Sequence, residues 1–471
     1  MIYSMNKNRI FTSGKMCAIA LVGAGALMLA SCAEDGFTEE QFVSSVTNSK
    51  LTNPELTFGS QVNSDGSESV IVKWETVAGA GGYEYEAYNV DDPTKPVELA
   101  KGTVDGTSFT FPKAEDTNYE VKVHTMGNTR LNNTEADAPE AVKYSTLVPA
   151  ITIPAGQDIA EFVAANMQDS ENEQAFELEA GGQYTCNTAV DFKTNKMTLR
   201  GNKLDHATVV MGEKAAIFTS AQLKVKFIKF DCSAINRKGG VIEMSPEPPA
   251  SCSAEAQKVG ACSWGIADVR VMNCVVQLNN DGMKNSNGAI ICGFSNSFKA
   301  PSGGSFWYGG IKSITIKEST IYNIVSNSKN RMFRFNNKDL DRAFPTADGS
   351  CTMMDNTFVR VYDKKEFGNN TPNRKEYVIT FDNNIFYDCF RLQKFIQGNC
   401  TKTFHQELNT IQGIANSVDG TDKGKYATEE EIGIDVAETK KELDFTQPNY
   451  GINFKATGAI SSTIGDPRWK N

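Results

Sequence analysis

Aromatic side chains in two loops carry the clearest chemistry in this sequence. Phe306, Trp307 and Tyr308 lie between glycines on both sides, and Trp264 follows Cys262. An exposed aromatic ring on a loop presents an apolar face that stacks against a sugar ring. We therefore expect these four aromatic residues to bind carbohydrate. The alternative is that the rings pack against the flank of the domain as part of its core.

The motifs of several common reactions are missing from the sequence. It contains no Gly-x-Ser-x-Gly elbow, no His-Glu-x-x-His and no Cys-x-x-Cys pair, and its histidines are His124, His206 and His405. We therefore expect no metal set, and no cofactor is evident. Cys252 and Cys262 flank a polar loop, so we predict a disulfide between them in an exported protein.

Cys32 offers a different chemistry, the acylation of its thiol. Residues 1–31 bear three positive charges and no negative one, and residues 16–29 are uncharged and mostly apolar. This apolar run is shorter than the roughly 20 residues of a membrane span, which predicts a signal peptide. The small residues before Cys32 resemble a lipobox, in which cleavage frees a cysteine that carries a diacylglycerol. Lipidation would anchor the protein firmly; an ordinary signal peptide is the alternative.

The start of the mature chain is acidic, at Glu34 and Asp35. This resembles the export tag of Bacteroidota lipoproteins and predicts an outer-membrane anchor at the cell surface, with the inward-facing leaflet as the alternative. Residues 32–51 lack periodic apolar positions and predict a flexible stalk. Loss of the leader takes the formal charge from −10 to about −13. Because such a chain repels phosphate backbones, we expect no nucleic-acid partner.

Residues 52–147 show short alternating segments separated by turn residues, which predicts an all-β sandwich. Val70, Val72 and Trp74 point the same way on an early strand, and Tyr119 opens a later Tyr-x-Val-x-Val strand. The pattern resembles a fibronectin type III domain, with Trp74 in the core and Tyr119 as the tyrosine corner. The expected role is that of a spacer or docking module.

A helix is predicted after a linker that ends near Gly156. Residues 158–161 have the Asp-x-x-Glu form of a capping box, and Ile159, Phe162 and Val163 share an apolar face. We expect this helix to cap an open β end, whose free strand edges would otherwise pair with other chains.

A repeated pattern lies further along the chain: two apolar positions alternate, a small or amide residue follows three later, and another apolar residue comes two after that. Such a strand, bend and strand are typical of a corner in a right-handed parallel β-helix. We expect Asn356 and Asn384 to take left-handed backbone angles there and to stack as an amide ladder. A second β-sandwich is the alternative. The central apolar positions of the repeat are Phe227, Val271, Ile316, Met353 and Phe381.

The chain is predicted to have a lipobox, then a fibronectin type III module, then a capping helix, then β-helix coils with asparagine at their corners. This order of parts resembles that of Bacteroidota surface lipoproteins with a pectate-lyase-like domain. The resemblance implies that a lyase of this fold would bind Ca²⁺ through clustered carboxylates and use an Arg or Lys base. Outward strand positions offer Arg270, Lys312, Lys317 and Asp382. Because no acids align over successive coils, Ca²⁺ is expected only if the protein is a lyase, and catalytic residues stay unassigned.

These patterns predict an all-β chain, a fibronectin type III β-sandwich followed by a right-handed parallel β-helix with an N-terminal capping helix. The predicted parts are a signal peptide (1–31), a stalk (32–51), the fibronectin type III-like domain (52–147), the pectate-lyase-like β-helix (148–400) and a C-terminal extension that closes the β-helix (401–471).

Three functions fit these expectations. The first is capture of polysaccharide, for example a pectin-like one, by a cell-surface lipoprotein in polysaccharide utilisation, with an outer-membrane glycan transporter as a partner. The second is a polysaccharide lyase or glycoside hydrolase on the same β-helix. The third is a structural or adhesive surface protein. Binding is favoured over catalysis because the sequence displays no catalytic set, and fold-level likeness alone does not decide between them.

Overall fold

The computed structural model describes part of the chain. The described residues are 46–252, 264–278, 289–295, 297, 310–324, 331–334, 343–344, 348–362, 367–369, 375–389, 400–405, 408–409, 425–426, 429–458 and 464–470. The chain divides into two compact units, Met1–Leu147 and Val148–Asn471. No helix among the described residues has the length and apolar character needed to cross a membrane.

The first unit is a β-sandwich of two antiparallel sheets. One sheet has the order β1-β2-β5, and the other has the order β4-β3-β6-β7, which is the fibronectin type III arrangement. A short 3-10 helix, Thr129–Leu131, precedes the last strand. The strands are β1 (Leu56–Val62), β2 (Glu68–Trp74), β3 (Tyr83–Asn89), β4 (Val97–Val104), β5 (Ser108–Pro112), β6 (Asn118–Thr125) and β7 (Val142–Ser145).

The core of the first unit follows the alternation in its strands. Val70 and Val72 are fully buried, and Trp74 is 5% exposed. The buried hydroxyl of Tyr119 accepts from the Ala114 amide at 2.8 Å and lies 3.3 Å from the Ala114 carbonyl oxygen, to which it donates. This is the predicted tyrosine corner, and the fibronectin type III fold is confirmed.

The folded part of this unit begins before the predicted domain start at residue 52. Leu51 is buried, the Leu51 amide donates to the Thr134 carbonyl at 3.1 Å, and the Asn133 side chain donates to the Val46 carbonyl at 2.6 Å. Residues 46–51 therefore belong to the sandwich and not to the stalk. Their backbone groups are satisfied by the segment around Asn133, which sequence spacing did not reveal.

The second unit opens with strand β8 (Ala150–Ile153) and helix α1 (Ile159–Asn166). The Asp158 carboxylate caps the helix by accepting from the Ala160 and Glu161 amides. Ile159 and Val163 are buried in the core of the unit. The capping helix is confirmed, and its apolar face covers the start of the coils.

The remaining strands follow one another around a coil. The first coils contain β9 (Gln174–Leu178), β10 (Gln183–Cys186), β11 (Ala189–Asp191), β12 (Met197–Arg200), β13 (Ala207–Met211), β14 (Ala216–Thr219), β15 (Gln222–Lys226), β16 (Ile228–Cys232) and β17 (Ile242–Met244). The middle coils contain β18 (Ile266–Met272), β19 (Val275–Leu278), β20 (Ala289–Cys292), β21 (Ile311–Lys317), β22 (Thr320–Asn323) and β23 (Arg331–Arg334). The last coils contain β24 (Ser350–Met354), β25 (Thr357–Val359), β26 (Gly368–Asn369), β27 (Val378–Asp382), β28 (Ile385–Tyr387), β29 (Thr401–His405), β30 (Leu408–Asn409) and β31 (Lys425–Tyr426).

These strands form three parallel sheets. Sheet 1 has the order β29-β27-β24-β21-β18-β15-β12-β9-β8, sheet 2 has the order β10-β13-β16-β19-β22-β25-β28-β30-β31, and sheet 3 has the order β11-β14-β17-β20-β23-β26. From β9 to β26 the chain passes from sheet 1 to sheet 2 to sheet 3 in each coil, and the side chains between the sheets form one apolar core. The right-handed parallel β-helix is confirmed. Because β29, β30 and β31 pair in these sheets, the coils continue past the predicted end at residue 400.

A left-handed residue turns the chain from sheet 1 into sheet 2. Phe227, Asn273, Glu318, Asp355 and Asn383 occupy this corner with φ between 50° and 58°. The left-handed position was expected at Asn356 and Asn384, and it lies one residue earlier. The first repeat was also placed two residues too late, because Val225, not Phe227, pairs with Val271.

The residues that follow the left-handed corner form a buried hydrogen-bonded ladder. Asn384 Oδ1 accepts from Asn356 Nδ2 at 2.8 Å and from the Asn356 amide at 3.2 Å. Asn356 Oδ1 accepts from the Ser319 amide at 3.0 Å, and the Ser319 hydroxyl accepts from the Cys274 amide at 3.1 Å. The predicted amide ladder is confirmed and extends through Ser319 to Cys274.

The C-terminal segment was expected to close the β-helix, and its described part lies over the outer face of sheet 2. It contains helix α2 (Glu429–Ile432) and the 3-10 helices Glu438–Lys440, Pro448–Gly451 and Pro467–Trp469. Phe454 and Trp469 pack on outward apolar residues of sheet 2 such as Tyr322 and Val359. This outer face is apolar in the later coils, so it is buried by a lateral cover.

The tyrosine corner predicts a stability effect in the first unit. Replacing Tyr119 with Phe removes the buried hydroxyl that hydrogen bonds to the Ala114 amide and carbonyl, so the free energy of unfolding should fall by about 1 kcal/mol. Calorimetry or urea unfolding of the full chain measures it. Tyr144→Phe, on the neighbouring strand, is the control and should leave stability nearly unchanged. Equal stability of the two variants would contradict the role of Tyr119.

The ladder predicts a larger effect in the second unit. Asn384→Ala leaves the amide of Asn356 and the carbonyl of Met353 without their partner inside the coil, at a cost of about 3 kcal/mol. The matched control is Asn172→Ala in an exposed turn, which should cost little. Denaturant midpoints compare the two variants, and a midpoint for Asn384→Ala at the wild-type value would show that the ladder does not hold the coils.

Candidate functional site

Of the four aromatic candidates for carbohydrate binding, Trp264 lies among the described residues, and it is not on the surface. Trp264 is 6% exposed, packs in the apolar core, and its indole nitrogen lies 3.5 Å from the Ser245 carbonyl oxygen. The sugar-platform prediction is therefore wrong for Trp264, because its ring is buried among apolar residues of the core and presents no exposed face to a sugar. Phe306, Trp307 and Tyr308 lie outside the described residues, and their role stays a prediction.

The predicted cysteine chemistry is only partly visible. Cys252 is disulfide-bonded. Its predicted partner, Cys262, lies outside the described residues, so the pairing stays a prediction. Cys32, the predicted lipidation site, also lies outside them.

Sheet 1 presents the longest polar face in the described part of the second unit. Its strands alternate: in β21, Ile314 and Ile316 are buried, whereas Ser313, Thr315 and Lys317 are half-exposed on the outside. Period-two alternation of this kind places every second side chain on the outer face. The outward candidates Arg270, Lys312, Lys317 and Asp382 all belong to strands of this sheet.

Strand register stacks these outward side chains into columns. We call the central one the outer column, and its neighbouring residues are paired directly across adjacent strands, about 4.8 Å apart. A second, flanking column runs beside it, two residues earlier in each strand. The outer column consists of Lys224, Arg270, Thr315, Thr352, Thr380 and Thr403, and the flanking column consists of Gln222, Asp268, Ser313, Ser350, Val378 and Thr401.

The two cations of the outer column are paired with carboxylates on the same face. Lys224 Nζ lies 3.1 Å from Glu173 Oε2, and Arg270 Nε donates to Asp268 Oδ2 at 2.9 Å. Thr198 donates to the other oxygen of Glu173 at 2.5 Å. The cations therefore add little net charge, and they act as oriented hydrogen-bond donors.

Burial affects the two carboxylates differently. Burial opposes ionisation of Glu173, but hydrogen bonds from Thr198 and Lys224 outweigh it, so the pKa of Glu173 lies below its ordinary value. Burial raises the pKa of Asp268, and Arg270 offsets this only in part. Asp268 therefore protonates at a higher pH than an ordinary aspartate, and Glu173 protonates at a lower pH than an ordinary glutamate, because their pKa values are shifted in opposite directions.

The chemistry of the outer column is hydrogen bonding to hydroxyl groups. A threonine hydroxyl both donates and accepts, and Lys and Arg add fixed donors. No cluster of three His, Cys, Asp or Glu residues that would hold a metal ion occurs in the described part of the chain. The column is thus a row of hydrogen-bonding side chains, one per strand, of which four are threonines.

Sequence reasoning picked out the charged outward residues and overlooked the threonines. The signal was present, since Thr315, Thr352 and Thr380 are the middle residues of three successive repeats, each between two apolar positions. Their common middle position places them on one outward line once the repeats are stacked.

Two family models match the chain. The DUF4992 model, a domain of unknown function, matches residues 5–183, and the DUF4957 model, also a domain of unknown function, matches residues 182–324. The two matches meet at strand β10, inside the second unit. No curated protein matches the chain.

Two solved structures are similar to parts of the chain. The fn3 domain of human collagen alpha-1(XX) is 20% identical over 23% of this chain and 96% of that domain, with a TM-score of 0.17. The PL6 family alginate lyase AlyGC is 11% identical over 65% of this chain, with a TM-score of 0.29; the match spans 45% of that lyase. At these scores, the fold assignment stands on the strand pairing of this protein itself.

Proposed function

We propose that this protein is a surface lipoprotein that captures polysaccharide along the outer column of sheet 1. The observation that carries the proposal is the in-register stack from Lys224 to Thr403. It repeats one polar side chain per strand over roughly 24 Å. A linear glycan lying parallel to the axis of the β-helix would meet a hydroxyl or a cation at each strand.

The composition of this face favours a glycan over other polymers. The only apolar side chain in the two columns is Val378. A third outward column, two residues later in each strand, adds Met272 and Met354 beside Lys317 and Asp382, so polar side chains predominate on this face. Its cations are paired with Glu173 and Asp268, and the whole chain has a formal charge of −10, so a nucleic acid would be repelled. Uncharged hydroxyl-rich chains suit it best.

The anchor belongs to the same proposal. We infer that Cys32 is lipidated, that the protein stands at the outer face of a Bacteroidota outer membrane, and that it delivers glycan to a transporter in that membrane. The apolar leader and the small residues before Cys32 support this placement. A tethered β-helix at the surface would raise the local concentration of polymer near the membrane.

The outer column is tested by removing hydroxyls while keeping side-chain shape. In the Thr315→Val, Thr352→Val and Thr380→Val triple variant, three hydrogen bonds to glycan are lost, each worth about 1 kcal/mol. Affinity for a bound polysaccharide should therefore fall roughly 100-fold. Affinity gel electrophoresis and calorimetric titration against a panel of plant and host polysaccharides measure it.

The control for this variant carries Thr103→Val and Thr110→Val on exposed strands of the first unit and should bind like wild type. Equal binding by the triple variant, or no binding by wild type to any glycan of the panel, would overturn the proposal.

A lyase assay tests the alternative function. The same mixtures of protein and polysaccharide are assayed for newly formed unsaturated uronate ends, with and without chelator. Release of such ends would show that the protein is a lyase.

The anchor is tested by fractionation of cells. Cys32→Ala should release the protein from membranes, because a leader without a lipidated cysteine leaves no acyl chain in the bilayer. Cys17→Ala, inside the apolar run of the leader, is the matched control and should stay with the membrane fraction. Sedimentation of the Cys32→Ala protein with membranes would contradict lipid anchoring.

A further inference from the structure

A cleft of about 790 Å³ lies on the opposite side of the corner from sheet 1, between the first coils and the C-terminal segment. Its volume is within the range of small-molecule sites. Coil residues Lys203, His206 and Lys229 line one wall, and Phe445, Tyr450 and Arg468 of the C-terminal segment line the other.

The wall formed by the C-terminal segment is fixed in place. Its turn is closed by backbone hydrogen bonds from Asp444 to Tyr450 and from Gln447 to Asp444, at 2.9 and 3.0 Å. Arg468 donates to the carbonyls of Cys274 and Glu318 at 2.9 and 2.8 Å, which attaches the segment to the corner of the coils. The cleft is therefore preformed, and a ligand would not have to order it.

Positive charge exceeds negative charge on the cleft lining. Two lysines, Lys203 and Lys229, and one carboxylate, Asp205, line the cleft, whereas the third cation of the lining, Arg468, is ion-paired with buried Asp466 at 2.5 Å. Lys229 is half-buried, with its Nζ 5.5 Å from the centre of the Tyr450 ring. Burial lowers the pKa of Lys229, and Asp205 offsets this only in part. An anion in the cleft would be attracted to the ammonium groups of the two lysines.

His206 supplies a neutral polar group to the same cleft. Its Nδ1 is buried and has no hydrogen-bond partner among the described residues. Burial, together with the charges of Arg468 and Lys229, lowers the pKa of His206 to about 4, so the ring is uncharged at neutral pH. The ring as a whole is half-exposed and lines the cleft, so it presents a neutral aromatic surface to a ligand.

We propose that this cleft binds an acidic sugar residue, with its carboxylate against Lys203 and Lys229 and its hydroxyls directed to His206 and Asp205. The half-exposed ring of Phe445 offers an apolar surface to the sugar ring. A free phosphate would use the lysines alone and would leave the Phe445 ring uncovered. The mixed lining therefore favours a uronate.

This proposal deepens the proposed function. It rests on that function at one point only, because it assumes that the anion bound in the cleft is part of a glycan. The outer column would hold the uncharged stretch of a polymer, and the cleft would select for acidic residues. The two sites lie on different sheets, so separate variants address them.

The test is calorimetric titration of the full chain, purified in detergent, with a galacturonate trisaccharide, its methyl ester and inorganic phosphate. Wild type should bind the acidic trisaccharide at least 10-fold more tightly than the methyl ester or phosphate. The Lys203→Met and Lys229→Met double variant should lose at least 10-fold in affinity for the acid. The Lys214→Met and Lys238→Met variant makes the same change of charge at exposed positions and should bind like wild type.

A milder variant protects the test against misfolding. Gln447→Glu places a negative charge at the exposed rim of the cleft without changing side-chain size, and it should also weaken binding of the acid but not of the ester. Wild-type affinity in both the double variant and Gln447→Glu would overturn the proposal, as would phosphate binding as tight as that of the trisaccharide.

The outer-column variant separates the two proposals. If the Thr315, Thr352 and Thr380 triple variant keeps its affinity for the acidic trisaccharide, the cleft binds independently of the outer column. If the triple variant loses affinity for the acidic trisaccharide while the lysine double variant retains it, the trisaccharide binds on sheet 1 and the cleft proposal is wrong. Binding of the acid that depends on the lysines, with no polysaccharide bound by sheet 1, would leave the cleft standing and remove the proposed function.

Discussion

The hydrogen-bonded ladder at the corner between sheets 1 and 2 fixes the register of the second unit. Each rung joins a side chain of one coil to a backbone amide of its neighbour, as Asn384 does with Asn356. A slip of one residue would leave these buried groups unsatisfied and turn the inward apolar residues of sheet 1 outward. The same register stacks Thr315, Thr352 and Thr380 into one line. The proposed binding face is therefore a consequence of the ladder.

The corner also holds the C-terminal segment. Gly465 donates to the Asn383 carbonyl at 2.8 Å, and Lys470 Nζ lies 3.1 Å from Asp355 Oδ1, so the segment is attached to the same left-handed residues that turn the coils. Buried Asp466 accepts from the Thr320 hydroxyl at 2.7 Å. Burial raises the pKa of Asp466, and Arg468 counteracts it in part. One corner thus supports sheet 1 on one side and the cleft on the other.

Much of the fold could be predicted because it depends on local periodicity. Alternation revealed the strands around Val70 and Thr315, and the capping box revealed helix α1. The left-handed position was misplaced by one residue because Asn suits both a left-handed angle and a buried ladder, and here Asn384 serves the ladder while Asn383 turns the chain. Trp264 was predicted to be exposed because the sequence alone does not show whether an aromatic ring near a loop lies on the surface or in the core. The cleft could not be predicted, since His206 and Arg468 meet only after the C-terminal segment folds back.

The central claim is that glycan lies along the outer column of sheet 1. A crystal structure of the full chain with a bound oligosaccharide of the polysaccharide that binds most tightly tests it most directly. The account predicts a sugar chain parallel to the β-helix axis, with successive hydroxyls within hydrogen-bond distance of Thr315, Thr352 and Thr380. A sugar chain bound on the first unit or on sheet 3, with the outer column empty, would contradict it.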